Sequence, residues 1–168
     1  MKKLVVLFVA LIASVAGLQA QNYMVVDSEQ IFKSLPDYNQ AITELEGLAT
    51  TYQKSVDEKF AEVESLYNSY VAQESSMTSA QITYYRNQIL EKEAAANEYQ
   101  ESIFSNEGTL MQRRIEMISP IQSKVFAAIE TYAKANGFDL VLDLASNATI
   151  LYNATNVDRT EAIINLLK

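Results

Sequence analysis

The chain has 168 residues, of which 49% are hydrophobic and 20% are charged, and its formal net charge is −8. This length suits one domain, and the composition is too apolar for a disordered chain. Only 4 Gly and 2 Pro argue against an all-β sandwich, which needs many turns. The absence of Cys and His excludes thiol nucleophiles, Cys/His zinc sites and histidine acid–base chemistry.

The first twenty residues have the layout of a secretory signal peptide. Two lysines precede an apolar run from Leu4 to Val15, and small residues follow. The run is short for a membrane span, although an uncleaved anchor is the alternative, and no Cys follows it to carry a lipid. We expect cleavage after Ala20, with Ala16 as the competing position. Eleven basic and twenty-one acidic residues then remain, a net charge of −10, which is unsuited to nucleic acid or anionic lipid.

The exported chain opens with a short β-prone run, Tyr23 to Asp27. Ser28 is a possible N-cap for a short helix, and Pro36 ends that helix. From Asp37 to about Met77 the pattern predicts one long helix, because apolar residues recur with heptad spacing. The seam comprises Ile42, Leu45, Ala49, Tyr52, Val56, Lys59, Val63, Leu66 and Tyr70, with Lys59 as its one charged member.

A capping box at Thr78 to Gln81 predicts a second helix, from about Ser79 to Ala135. Its seam is apolar on one edge and half polar on the other, so the helix should be packed on one side only. Pro120 should kink or interrupt this helix, since proline removes a backbone hydrogen bond. Gly137 is a natural C-cap. The short link between the two helices predicts antiparallel neighbours.

The C-terminal part reads as a β-hairpin, Phe138 to Asp143 and Thr149 to Tyr152, followed by a helix capped by Asp158 or Thr160. A helix of about 40 residues is about 60 Å long, whereas a compact domain of this size is about 30 Å across. The helical pair should therefore protrude, with a sheet of about three strands joining its two ends. Because such a sheet has open edges, self-association is expected.

Four tyrosines near the link between the long helices are the candidate contact residues: Tyr67, Tyr70, Tyr84 and Tyr85. They would offer amphipathic contact to a partner, or they would pack the end of the helical pair itself. Met77, Met111 and Met117 would be an adaptable lining or core filler.

Asp139 and Asp143 share one strand face, but no third ligand or base accompanies them, so solvated or interface charges are the favoured interpretation. We predict no catalytic residues, no metal site and no cofactor.

Three segments together resemble the Skp/OmpH family of periplasmic chaperones over essentially the whole exported chain. The first is the signal peptide followed by a strand and "SEQIFKSLPDY", and the second is the long charged helical pair. The third and most specific is "PIQSKVFAAIETYAKANGFDLVLD" followed by "ILY" and "DRTEAIINLLK". The resemblance implies an α+β, mostly α fold: a long antiparallel helical hairpin arm (about 37–117) on a small β body (21–36 and about 118–168), assembled as a homotrimer.

The resemblance also implies function. The chain would be an ATP-independent periplasmic holdase, not an enzyme, that binds unfolded outer-membrane proteins in a cavity between arms. Well-known members of the family are basic, whereas this chain is acidic. We therefore do not expect the attraction of those members to membrane or lipopolysaccharide to apply to this chain. Pro120 is the candidate hinge for arm opening. The alternative is a structural or adaptor coiled-coil protein of the envelope that docks one defined partner.

Overall fold

The structure, a computed structural model, describes residues 22–145 and 150–168. The protein is mostly helical, as predicted. The elements are β1 (Tyr23–Val26), α1 (Ser28–Lys33), α2 (Pro36–Gln73), a 3₁₀ turn (Glu74–Ser76), α3 (Ser79–Phe104), α4 (Thr109–Ala135), β2 (Leu140–Asp143) and α5 (Thr160–Leu167). The predicted signal peptide lies outside the described residues. None of the described helices is long and apolar enough to cross a membrane.

The chain divides into two compact units. Of the described residues, the first unit comprises 22–36, 123–145 and 150–168, and the second is Asp37–Gln122. We refer to them below as the terminal unit and the helical unit.

The sheet of the terminal unit differs from the predicted hairpin. Its two strands, β1 and β2, are parallel, with Tyr23 opposite Leu140 and Val26 opposite Asp143. A further parallel bridge joins Val25 to Asp158 on the other edge of β1. Parallel pairing needs a long crossover connection, and the helices between residues 26 and 140 supply it.

The prediction of an antiparallel hairpin was therefore wrong for the described residues. Ile150 to Tyr152 form no strand, and Thr149 lies outside the described part of the chain. The predicted sheet of three strands is a sheet of two among the residues that are described. The physical reason is that β1, in which Met24, Val25 and Val26 are buried, offers backbone groups on both edges to residues distant in sequence.

The core of the terminal unit surrounds β1. Met24, Ile31 and Ile163 are fully buried, and Val125 on α4 is buried with them. α1 and α5 pack against each other, so apolar residues at helical spacing on both helices point into this core.

Side-chain hydrogen bonds join the ends of these elements. Asp27, rather than the predicted Ser28, is the N-cap of α1, since its carboxylate accepts from the Gln30 amide at 2.9 Å. Ser28 is instead the first helical residue, and its amide donates to Asp143 at 3.0 Å. The predicted cap of α5 by Asp158 or Thr160 was wrong, since Arg159 is the N-cap and Thr160 is the first helical residue. Asp158 nevertheless accepts from the Thr160 amide at 2.9 Å.

The helical unit contains the predicted seam. Eight of the nine seam positions on α2 are buried or half-buried, and Lys59, the one charged member, is exposed. On α3, Ala96 and Ile103 are buried while Lys92 is exposed. This confirms the prediction that one edge of the α3 heptad pattern is packed and the other is exposed to solvent. Pairs such as Lys92 with Glu62, 3.0 Å apart, link α3 to α2 along the wet edge.

The second long helix is two helices. The chain leaves the helical conformation between Phe104 and Thr109, whereas α4 runs without interruption through Pro120. Gly108 lies so close to the Ile103 carbonyl that a side chain would collide with it, which makes this residue the local determinant of the break. At the end of α4, Gly137 has φ of 68° and the Phe138 amide donates to the Ala133 carbonyl at 2.9 Å. This Schellman motif confirms the predicted C-cap.

Candidate functional site

The tyrosines at the α2–α3 link have unequal environments. Tyr70 is buried and Tyr85 is half-buried, whereas Tyr67 and Tyr84 are more than half exposed. The Tyr84 and Tyr85 rings meet edge to face with centroids 5.6 Å apart. Tyr70 therefore packs the end of the helical pair, while Tyr67 and Tyr84 present aromatic surface to solvent. Their role in binding a partner stays a prediction.

Tyr70 belongs to a polar network that closes the end of the helical pair. Its hydroxyl donates to the Glu74 carboxylate and accepts from Arg86 Nε at 2.9 Å, and Arg86 forms a 3.0 Å ion pair with Glu74. The hydrogen bond from Tyr70 is the main cause that lowers the pKa of Glu74, and the bond to Glu74 raises the pKa of Tyr70. The network thus joins α2 to α3 across the link.

Removing the Tyr70 hydroxyl should raise the pKa of Glu74 toward its ordinary value. A carboxyl whose folded-state pKa is lowered stabilises the fold above its unfolded pKa and loses that contribution as the pH falls through the folded value. In Tyr70→Phe, the stability that Glu74 contributes at neutral pH, and therefore the part of it that is lost on acidification, should be smaller than in the unsubstituted protein. NMR titration of the Glu74 carboxyl measures the shift, with Tyr84→Phe as a control that leaves Glu74 unchanged. An unchanged Glu74 pKa in Tyr70→Phe would contradict the assigned network.

An apolar groove lies at the α3–α4 break, inside the helical unit. We call it the break groove, and its volume is about 340 Å³. It is lined from α2 by Ile42, Leu45, Glu46 and Ala49, and from the break and α4 by Phe104, Ser105, Asn106, Leu110, Met111 and Arg114. The sequence-based interpretation overlooked this groove, because the second helix was expected to run on past Phe104. The "SNEG" stretch, with its Asn and Gly, was the available signal.

Met77, Met111 and Met117 lie in three different places and do not form a common binding surface. Met111 borders the break groove, whereas Met117 packs against the buried cluster of Ala41, Leu45 and Ile118. Met77 follows the 3₁₀ turn at the other end of α2. Of these three methionines, Met111 is the one that lines the break groove, where its flexible side chain can adapt to a bound group.

Asp139 and Asp143 are structural acceptors in the terminal unit. Asp143 accepts from the Ser28 hydroxyl at 2.6 Å, and Asp139 accepts from the Asn22 amide at 3.3 Å. Both bonds tie β2 to the start of the described chain. Among the described residues, no group of three or more acidic, His or Cys side chains is arranged to hold a metal ion.

The protein is of the α+β class. It combines a pair of long helices with a heptad pattern, joined at one end by the Tyr70 network, with a small sheet in the terminal unit. Comparison with family models shows more: residues 22–167 match the family described as outer membrane protein (OmpH-like), and the chain belongs to this family. The resemblance stated from the sequence is thereby confirmed. The family is one of periplasmic chaperones, which gives this chain a chaperone-type role at the level of the family. A search of curated proteins found no match.

Proposed function

We propose that the protein is an ATP-independent periplasmic holdase that keeps unfolded outer-membrane proteins soluble. The family match over residues 22–167 carries this proposal. Apolar and aromatic side chains exposed on the helical unit support it, among them Tyr67, Tyr84 and Leu90, which are 52%, 60% and 63% exposed. Scattered contacts of this kind bind many sequences weakly, so that a client is withdrawn from aggregation by mass action and released to a better binder.

We further propose a homotrimer in which the terminal units form the body and the helical units form client-holding arms. Apolar side chains on the terminal unit support self-association, since Leu151 and Tyr152 are 95% and 84% exposed and Leu140 on β2 is 50% exposed. Exposed apolar residues of this size are typical of a surface that another chain covers. Pro120 remains our proposed hinge for arm opening, and Pro120→Ala should stiffen the arm and narrow the range of client sizes. An unchanged arm spread in solution scattering would contradict this role.

The proposal is tested with the chain from Gln21 to Lys168. Its mass is measured by light scattering, and urea-unfolded outer-membrane barrel protein is diluted into it without nucleotide. We expect a trimer that suppresses light scattering by the aggregating barrel at a near-stoichiometric ratio. A trimer that leaves the barrel to aggregate would overturn the holdase function and favour an adaptor that docks one defined partner. A monomer would overturn the assembly.

A further inference from the structure

The negative charge of the protein is concentrated in the helical unit. Asp37–Gln122 contains fourteen acidic and six basic residues, a net charge of −8, whereas the described residues outside this unit contain seven acidic and five basic residues, a net charge of −2. A surface of one sign raises the local concentration of oppositely charged partners and repels those of like charge. The helical unit therefore presents a net negative charge to any partner that approaches it.

The break groove is an apolar concavity within this acidic unit, and it is large enough to take a side chain. About 340 Å³ exceeds the volume of one large apolar side chain, and the Phe104 ring at its wall is still 37% exposed. The lining includes small and aliphatic side chains, among them Ala49, Ile42 and Leu110. Burying an apolar side chain here would remove apolar area from water on both partners.

The charges around the groove have the same overall sign as the unit. Glu46 lines the groove, Glu107 follows its wall residue Asn106, and Glu101 lies one helical turn before Phe104. Arg114 is the one basic residue in the lining, and its neighbour Arg113 forms a 3.0 Å ion pair with Glu116. The residues that line the groove thus include one acidic and one basic side chain, and the local excess of acidic residues comes from Glu101 and Glu107, which are near the lining residues in the sequence.

We infer that the break groove is a docking site for a segment of a non-native polypeptide in which an apolar side chain is flanked by lysine or arginine. The apolar residue enters the groove, and the flanking cations lie toward Glu46, Glu101 and Glu107. The inference rests on the proposed holdase function and adds a preference to it: cationic client segments bind better than anionic ones. Ionic contacts then increase association, while the apolar residue limits dissociation.

Two fluorescent peptides test the preference. Both carry the same central Leu-Phe-Leu, flanked in one by lysines and in the other by aspartates, and binding to the chain from Gln21 to Lys168 is followed by anisotropy. We expect the lysine-flanked peptide to bind about tenfold more tightly at low ionic strength. The ratio should approach one in 1 M salt, where charges are screened beyond about 3 Å. Equal affinities at low salt, a preference for aspartate, or no binding of either peptide would overturn the inference.

Two pairs of variants locate the site. Ala49→Leu adds a larger side chain to the lining of the groove and should weaken the binding of both peptides by about tenfold, since the burial of one or two methylene groups is lost. Ala61→Leu, at an exposed position on the same helix, should change neither. Equal effects of the two substitutions on peptide affinity would show that the peptides do not bind in the groove. A change of oligomer mass in Ala49→Leu would assign the groove to a second copy of the chain, which also overturns the inference.

Glu46→Gln should weaken only the lysine-flanked peptide, by about twofold to threefold, because the one acidic charge of the lining is lost. Glu64→Gln is the matched control, since eighteen residues along a helix place it about 27 Å away, well beyond the screening length of about 8 Å at physiological salt.

The two proposals fail separately in these experiments. A protein that keeps the barrel soluble but shows no peptide preference is a holdase without this site. A protein that prefers the lysine-flanked peptide through Ala49 but leaves the barrel to aggregate has the site without the holdase function.

Discussion

Ile163→Ala is expected to lower the free energy of unfolding by about 2–5 kcal/mol. Ile163 is fully buried in the terminal unit, where α5 packs against α1, and truncation to alanine leaves a cavity that a close-packed interior fills only in part. Urea unfolding followed by circular dichroism measures the loss as a lower midpoint at unchanged slope.

Leu166→Ala is the matched control for Ile163→Ala. It removes a side chain of similar size from the same helix, but Leu166 is 60% exposed, so the change should cost less than about 1 kcal/mol. A small effect at Ile163, or equal effects at the two positions, would show that α5 does not bury the face assigned to it.

Gly108→Ala is expected to destabilise the helical unit by about 1–3 kcal/mol, the usual cost of overpacking. A Cβ at Gly108 would lie 2.5 Å from the Ile103 carbonyl oxygen and 2.7 Å from its carbon, and neither atom belongs to a flexible side chain that can move aside. The backbone between Phe104 and Thr109 must shift, so the break groove should change shape as well. Binding of the lysine-flanked peptide to the same variant reports that change.

The same substitution at Gly47 should have the opposite sign. Gly47 lies within α2, and a Cβ there would meet nothing within 4 Å. Alanine is about 0.5–1 kcal/mol more favourable than glycine in a helix interior, so Gly47→Ala should stabilise the protein. If both variants move the urea midpoint in the same direction, Gly108 is not held by a close backbone approach.

The elements predicted correctly depend on interactions between residues close in sequence. The heptad seam from Ile42 to Tyr70, the capping box at Thr78 and the Schellman motif at Gly137 each require only a few neighbouring residues. Such patterns are readable because helical hydrogen bonds and caps connect positions no more than about five apart. The family resemblance used the same kind of local pattern in the segments flanking the helices.

The features that were missed depend on distant partners or close backbone approaches. The "SNEG" stretch was compatible with a continuing helix, and only the packing of Gly108 against Ile103 shows why the chain breaks there. The break groove then follows, because its walls come from α2 as well as from the break. Spacing along one helix does not reveal which residue of another helix faces a gap.

The sequence by itself determined that this protein is mostly helical, seamed and acidic, and it indicated the family, since these properties arise from composition and local periodicity. The tertiary structure decided the pairing of the sheet. The alternation of apolar and polar residues predicts that Leu140 to Asp143 form a strand. It does not predict the partner, because backbone groups of a strand can form hydrogen bonds with any other strand. β1 pairs in parallel with β2, more than a hundred residues away, rather than β2 pairing with an antiparallel neighbour. This pairing buries Val25 and Val26 and lets Asp143 accept a hydrogen bond from Ser28.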